Sequence, residues 1–257
     1  MPDTALLIFT TIFAALAVGT AVGASGIGGF FIIPVLIYLT HLPLRAAIGT
    51  ALVTSAANGA LGLWLYLRRG NVSWSTAIPL TLGSVVAAAI SGWLGQWLPL
   101  NFIVCALGLT LLLGSGFVLF RKKGPSSPCS SIKPVKRSAL LAVIGSFSGL
   151  VAGVTGAGGP LVAVPLMTLY SFPVLSTIGS AQALQFLAGM AGAAPYWFNG
   201  HIELMPLALT IPPQLVGIWV GVQIAHKVER KLLAGFIALL GLGAGCLILS
   251  LGIFKML

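Results

Sequence analysis

Long apolar runs separated by short charged interruptions dominate this chain. Asp, Glu, Lys and Arg are absent from residues 4–44, 46–67 and 70–120, and again from 138–202, 204–226 and 232–254. A helix needs about 20 apolar residues to cross the hydrocarbon core of a bilayer, so several of these runs hold more than one segment. A membrane-spanning barrel would need alternating polarity, which these runs lack. The pattern therefore predicts an all-α, polytopic membrane protein.

The spacing of small and polar residues divides each half of the chain into five helical segments. An apolar stretch (residues 6–20 and 140–151) precedes a glycine cluster, and a short apolar stretch follows it (residues 30–39 and 161–170). Three ordinary helices come next in each half. They are predicted at 44–67, 74–97 and 101–120 in the first half, and at 174–198, 204–225 and 232–254 in the second.

The two halves also match one another in sequence. A shift of 130 residues aligns residues 19–70 with 149–200 without a gap, and 15 of the 52 positions are identical, nine of them glycines. Composition alone does not put nine glycines in register, so the chain contains a duplication. We predict a first membrane repeat at 1–120, a basic cytoplasmic linker at 121–137 and a second repeat at 138–257, forming one integrated transport domain.

Composition and charge agree with this organisation. Only 6% of the residues are charged, whereas a soluble chain of this size has about a quarter. The net charge of +10 could suggest a nucleic-acid partner. Basic residues, however, collect in the cytoplasmic loops of membrane proteins, and six of the 13 Lys and Arg residues lie in the linker. We therefore expect a lipid bilayer and no nucleic acid as partner.

The short stretch after each glycine cluster decides the topology. About a dozen helical residues span about 18 Å, too little for a hydrocarbon core of about 30 Å. The opening pair of each half is thus either one broken crossing or a hairpin that returns to its starting side. The returning arrangement places 11 of the 13 Lys and Arg residues in the cytoplasm and the broken crossing places nine there. The positive-inside rule favours inverted repeats, an architecture typical of secondary transporters.

The two glycine clusters are the strongest candidates for chemistry. The first cluster (residues 25–29) reads Ser-Gly-Ile-Gly-Gly and the second cluster (residues 155–159) reads Thr-Gly-Ala-Gly-Gly. A glycine break leaves backbone N–H groups free at the start of the next helical piece, and these donors bind anions without a charged side chain. The alternative is that the glycines only let helices cross closely. The predicted substrate-binding residues here are Ser25, Gly26, Gly28, Gly29, Thr155, Gly156, Gly158 and Gly159.

Polar residues inside the following helices give a second signal. Thr50, Thr54 and Asn58 lie on one face of one predicted helix, and Gln182 and Gln185 lie in its twin. Such residues face the protein interior, because lipid offers an amide no hydrogen-bond partner. A substrate path and structural hydrogen bonds between helices explain them equally well.

The sequence gives little support to an enzymatic function. Ser25 lies in a Gly-Ala-Ser-Gly turn typical of intramembrane serine proteases, but all three histidines fall at predicted helix ends, away from it. We expect no enzyme activity, catalytic residue, metal site or cofactor. His201 and Glu203 either form a proton-coupling pair or are loop residues exposed to water.

Several of these motifs resemble those of the TauE/SafE family, also called the sulfite-exporter or toluene-sulfonate-uptake permease family. The first copy is Gly-Ile-Gly-Gly-Phe-Phe-Ile-Ile-Pro at 26–34, followed by Ala-Ile-Gly-Thr-Ala-Leu at 47–52 and by Asn58-Gly59. The second copy is Gly-Ala-Gly-Gly-Pro at 156–160, followed by Ile-Gly-Ser-Ala at 178–181. The family often has a third glycine where Phe30 and Pro160 stand here, so substrate preference can differ.

The resemblance implies a multi-pass secondary transporter of the bacterial cytoplasmic (inner) membrane for small sulfur-containing, organosulfonate or organic anions. Export is the favoured direction, and an anion channel or a non-transporting membrane scaffold is the alternative. The identity of the anion, a coupling proton or other ion, and a homodimer are left open.

Overall fold

The computed structural model describes residues 4–120, 134–170 and 172–227, together with residues 239, 242, 243 and 246. These residues are helical apart from short turns, with no strand among them. A short 3₁₀ turn, Gly29–Phe31, precedes α2. The helices are α1 (Thr4–Ser25), α2 (Ile32–Tyr38), α3 (Leu44–Arg68), α4 (Trp74–Gly95), α5 (Leu100–Phe120), α6 (Pro134–Thr155), α7 (Pro160–Leu169), α8 (Val174–Phe198) and α9 (Leu204–Ala225).

Helix boundaries follow the sequence prediction closely, and the clearest differences are in α1 and α6. Both extend beyond the predicted apolar stretch: α1 continues to Ser25, at the first glycine cluster, and α6 runs from Pro134 to Thr155. The α6 helix starts at Pro134, inside the segment predicted as linker, and proline is favoured in the first turn of a helix. The rest of that linker and most of the helix predicted at 232–254 lie outside the described residues.

Six of the described helices are long and apolar enough to cross a membrane: α1, α3, α4, α6, α8 and α9. The helices after the glycine clusters are too short, with seven residues in α2 and ten in α7. The chain is therefore a multi-pass membrane protein with a short helix in each half.

The two halves are interleaved and do not pack as separate units. The closest helix pairs are α1 with α9, α6 with α4, and α3 with α8. Under the 130-residue shift, the first two pairs are equivalent and the third joins equivalent helices. Glycines make these approaches: a Cβ added at Gly19 would overlap the backbone of Gln214, and one at its twin Gly149 would overlap the backbone of Ser84.

The helix directions follow from the residues that face each other. Gly49 of α3 faces Tyr196 of α8, whereas Gly59 faces Phe186, so α3 and α8 are antiparallel. By the same test α1 and α9 are parallel, because Gly19 faces Gln214 and Gly23 faces Ile218.

The opening helix pair of the first half therefore returns the chain. The Asn58–Gln214 and Arg69–Val222 contacts make α3 parallel to α9. Since α1 is also parallel to α9, α1 and α3 run in the same direction, and the segment between them leads back to the side where α1 begins. This geometry favours the inverted arrangement; which loop faces the cytoplasm stays a prediction.

Candidate functional site

Each glycine cluster breaks the backbone between a long helix and a short one. Gly26 and Gly28 have φ angles of 72° and 139°, and Gly156 and Gly158 have φ angles of 68° and 73°. Residues with a Cβ rarely adopt such angles, so glycine is what the turn requires at these positions. The duplicated motif thus encodes a duplicated break.

The hydroxyls that begin the clusters stabilise the break. Ser25 Oγ lies 2.9 Å from the Ala21 carbonyl oxygen and accepts a hydrogen bond from the Ile27 N–H at 3.1 Å. Thr155 Oγ1 donates to the Val151 carbonyl at 2.7 Å and accepts from the Ala157 N–H at 3.2 Å. Both side chains therefore have local partners in the structure, and their direct contact with an anion stays a prediction.

Several backbone N–H groups of the clusters are free to donate hydrogen bonds. The N–H groups of Gly28, Gly29 and Phe30 make no hydrogen bond within the described part of the chain, and neither do those of Gly158 and Gly159. Pro160 has no N–H group to add. Free N–H groups at the start of a helical piece are the donors that bind anions in many proteins.

Two buried side chains meet the clusters between the halves. A Cβ added at Gly29 would lie 3.5 Å from Gln185 Nε2 and 3.6 Å from Ser55 Oγ, and one added at Gly158 would lie 3.7 Å from Ser55 Oγ. Ser55 and Gln185 are 1% and 2% exposed. Ser55 Oγ and Gln185 Oε1 have no hydrogen-bond partner among the described residues. Other buried polar atoms of the described residues also lack a partner, among them Asn58 Oδ1 and Gln182 Oε1, so what distinguishes Ser55 and Gln185 is their position beside the clusters.

Ser55 was not among the residues predicted from the sequence. The helical stripe drawn through Thr50, Thr54 and Asn58 passes beside it. A usable signal was nevertheless present, because the 130-residue shift aligns Ser55 with Gln185. The face of α3 that meets the glycine clusters is thus offset by one residue from the stripe that the polar spacing suggested.

The other predicted polar residues have partners within the protein, in their own helix or in a neighbouring one. Thr54 donates to the Thr50 carbonyl at 2.8 Å, and the Thr50 hydroxyl accepts from the backbone N–H of Glu203 at 3.2 Å. Asn58 donates to the Gln214 side chain, and Gln182 Nε2 donates to the Val22 carbonyl at 3.3 Å. These contacts give Thr50, Thr54, Asn58 and Gln182 structural partners, while Gln185 lies at the first cluster.

Two equivalent tyrosines hold the helix ends that lead into the clusters. Tyr66 donates to the Gly23 carbonyl at 3.0 Å, and its twin Tyr196 donates to the Gly153 carbonyl at 3.2 Å. Each bond joins one of the long central helices, α3 or α8, to the last turn before a cluster. Each hydrogen bond therefore helps to fix a central helix relative to the adjacent break.

The residues considered for proton coupling lie apart from the clusters. His201 Nδ1 is 3.0 Å from Gln96 Oε1, and Glu203 occupies the N-cap position of α9. No hydrogen bond or ion pair joins His201 to Glu203 in the described part of the chain. A role in coupling stays open for both.

Comparisons with known proteins point to one family. The model of the sulfite exporter TauE/SafE family matches residues 11–248. A probable membrane transporter protein of Bacillus subtilis, YdhB, is 22% identical over 233 residues, which cover 89% of this chain and 93% of that protein.

Two further relatives carry the same description. The probable membrane transporter protein of Haemophilus influenzae is 26% identical over 231 residues, covering 82% of this chain and 84% of that protein. The one of Methanocaldococcus jannaschii is 24% identical over 236 residues, covering 84% and 86%. No solved structure matches the chain. With a family match over nearly its whole length and a pair of equivalent glycine breaks, the chain belongs to the TauE/SafE family of membrane transporters.

Proposed function

We propose that this protein is a secondary transporter of small sulfur-containing, organosulfonate or organic anions in the bacterial cytoplasmic membrane, with export as the favoured direction. The anion binds between the two glycine clusters. The observation that carries the proposal is the position of two buried side chains: Ser55, whose Oγ has no partner among the described residues, lies at both Gly29 and Gly158, and the Nε2 donor of Gln185 lies at Gly29.

The donor set explains why such a site prefers an anion. No Lys or Arg occurs at 46–67 or 174–198, the central helices of the two halves. The unbonded N–H groups of the clusters, the Ser55 hydroxyl and the Gln185 amide are hydrogen-bond donors without a net charge. Donors fixed in this way bind an oxyanion because its charge is met by N–H and O–H dipoles in a site shielded from water.

The position of the site supports transport over a purely structural role. The clusters interrupt the path across the membrane at the junction of two equivalent repeats, where secondary transporters commonly bind their substrates. In the alternative reading, as a channel or scaffold, the cluster glycines would serve only close packing. Packing does explain Gly19 and Gly149, whose missing Cβ atoms face neighbouring backbone. It does not explain unpaired polar side chains beside Gly29.

Flux measurements on the full chain in liposomes test the proposal, with radiolabelled ethanesulfonate as the probe. We expect saturable uptake that excess unlabelled ethanesulfonate suppresses. Non-saturable flux would support a channel, and absence of flux for sulfonates, sulfite and carboxylates would support a scaffold.

Gly29→Ala is the sharpest variant for locating the site. Gly29 does not have a positive φ, and the new Cβ would meet its neighbours at ordinary contact distances. The fold should therefore tolerate the methyl group, which nonetheless occupies the space between Ser55 and Gln185. We expect the apparent affinity to fall at least about tenfold, since two charge-assisted hydrogen bonds are worth more than that.

Gly116→Ala is the matched control for Gly29→Ala. An added Cβ there meets nothing within 4 Å among the described residues, and the site lies elsewhere. Equal transport by both variants would remove Gly29 from the site.

A further inference from the structure

The two glycine clusters are equivalent in sequence but lie in unequal surroundings. At Gly29 the place of a Cβ is bordered by Gln185 Nε2 and Ser55 Oγ. Gly159 is the twin of Gly29, and a Cβ there would overlap the Cδ2 methyl group of Leu184, with the Cβ of Ser148 the nearest atom of another residue, at 3.7 Å. Gly29 thus meets polar side-chain atoms and Gly159 an apolar side chain, while Ser55 Oγ lies near Gly158 as well as Gly29.

Side-chain hydrogen bonds increase the difference. The Ser148 hydroxyl donates to the Ile144 carbonyl of its own helix at 2.7 Å and offers only its Cβ to Gly159. Leu184 is fully buried, and the 130-residue shift aligns it with Thr54. The duplication therefore produced an apolar residue in the second half where the first half has a hydroxyl.

Backbone donors are also distributed unequally. The first cluster has three unbonded N–H groups, at Gly28, Gly29 and Phe30, whereas the second has two, at Gly158 and Gly159. Pro160 stands where Phe30 stands in the first copy and supplies a ring in place of a donor. Side chains and backbone both place the stronger anion-binding capacity at the first cluster.

From this asymmetry we infer that the site takes an anion with one charged end and one short apolar end, held in a single orientation. The charged group lies at the first cluster, against Gly29, Gln185 and Ser55. The apolar end lies towards Leu184 and Pro160 at the second. This inference rests on the proposed function and narrows its substrate class to monoanions such as short alkanesulfonates or alkanoates.

Two physical consequences distinguish such a site from one built for a symmetric oxyanion. Each methylene added to the apolar end is removed from water against Leu184, which tightens binding up to about fourfold. A second charged end would meet fewer donors at the second cluster, where Leu184 stands in the place that Gln185 has at the first, and a buried polar group left partly unpaired weakens binding about fivefold or more.

A homologous series of ligands tests the inference on the purified full chain by calorimetry. For the natural sequence we expect affinity to rise from methanesulfonate to ethanesulfonate to propane-1-sulfonate. Sulfate and ethane-1,2-disulfonate should bind at least about fivefold more weakly than ethanesulfonate. The series needs no variant, so it does not depend on a substituted protein folding.

Variants then separate the two ends. Gln185→Leu should weaken all three sulfonates by the same factor and leave the gain per methylene unchanged. Leu184→Ala should reduce the gain per methylene and affect methanesulfonate least. Thr210→Val is the control, because this buried hydroxyl donates to the Pro206 carbonyl of its own helix at 2.7 Å and should alter neither quantity.

The outcomes distinguish this inference from the proposed function. Sulfonates that bind with no gain per methylene, or sulfate that binds as tightly as ethanesulfonate, would overturn the single orientation and leave anion transport standing. Failure of the natural chain to bind or carry any of these anions would overturn the proposed function and the inference with it.

Discussion

At the scale of single residues, the repeated glycines fall into two groups that the sequence does not distinguish. Gly19, Gly23 and their twins have neighbouring backbone where a side chain would begin, so close helix packing requires them. Gly26, Gly28 and their twins have positive φ angles, so the backbone conformation requires them. Close packing therefore explains the first group and backbone conformation explains the second, while anion binding at the second group stays a prediction.

This division changes how the clusters are best probed. Gly28→Ala and Gly158→Ala should both lower anion affinity, but both also strain a backbone with positive φ, by about 1 kcal/mol or more. We expect a reduced melting temperature in detergent for these two variants and an unchanged one for Gly29→Ala, with weakened anion binding in all three.

Gly62→Ala is a poor control for this comparison, because its Cβ would lie 2.5 Å from Gln182 Oε1. Gly116→Ala serves instead. Full affinity in Gly29→Ala, alongside lost stability in the other two, would show that the clusters matter for folding alone.

At the scale of helices, the element boundaries were predictable and the roles of polar residues were not. Runs free of charge and short interruptions locate α3, α4, α8 and α9 to within two or three residues, because lipid tolerates few charged groups. Which polar side chain lacks a partner depends on neighbours from the other half of the chain. Asn58 donates a hydrogen bond to Gln214 of α9, which is 156 residues away in the chain. No local sequence pattern predicts that pair. Ser55 was missed for the same reason.

The bond between α3 and α9 yields a prediction about stability. Asn58→Ala removes the donor to Gln214 and leaves the buried Gln214 side chain without that partner. We expect a loss of about 1–2 kcal/mol in the free energy of unfolding, measured by denaturation in detergent, with anion affinity nearly unchanged. Gln185→Ala should show the reverse, weakened binding with little loss of stability.

Asn199→Ala provides the matched control for Asn58→Ala. This exposed asparagine donates only to the Pro195 carbonyl of its own helix, at 2.8 Å, so its loss should change neither quantity. Lost binding with unaltered stability in Asn58→Ala would instead return Asn58 to the substrate site.

At the scale of the whole molecule, charge and tryptophan mark two ends of the helix bundle. Of the six Lys and Arg residues that the structure describes, Arg45 alone lies at the end where α3 begins. The other five lie at the opposite end: Arg68, Arg69, Lys136, Arg137 and Lys227. Exposed tryptophans occur near both ends, Trp64 and Trp74 at the basic end and Trp93, Trp97 and Trp197 at the other. Such belts are typical of the two membrane–water interfaces.

The basic end is therefore predicted to face the cytoplasm, and this gives a test of the inverted arrangement. Each test protein carries a single cysteine, the other native cysteines being replaced. A membrane-impermeant maleimide should label that cysteine from one side only. The native Cys129, in the linker, and Lys227→Cys, after α9, should both react only when the reagent reaches the cytoplasmic face. Asn199→Cys, at the other end, should react in intact cells and verifies that the reagent labels a cysteine exposed on the outer face. Two parallel repeats with four crossings each would put residue 227 outside, so labelling of Lys227→Cys in intact cells would contradict the returning helix pair. Labelling of both loops from the cytoplasmic side would place the two repeats in opposite orientations in the membrane, with the glycine clusters entering the site from opposite faces.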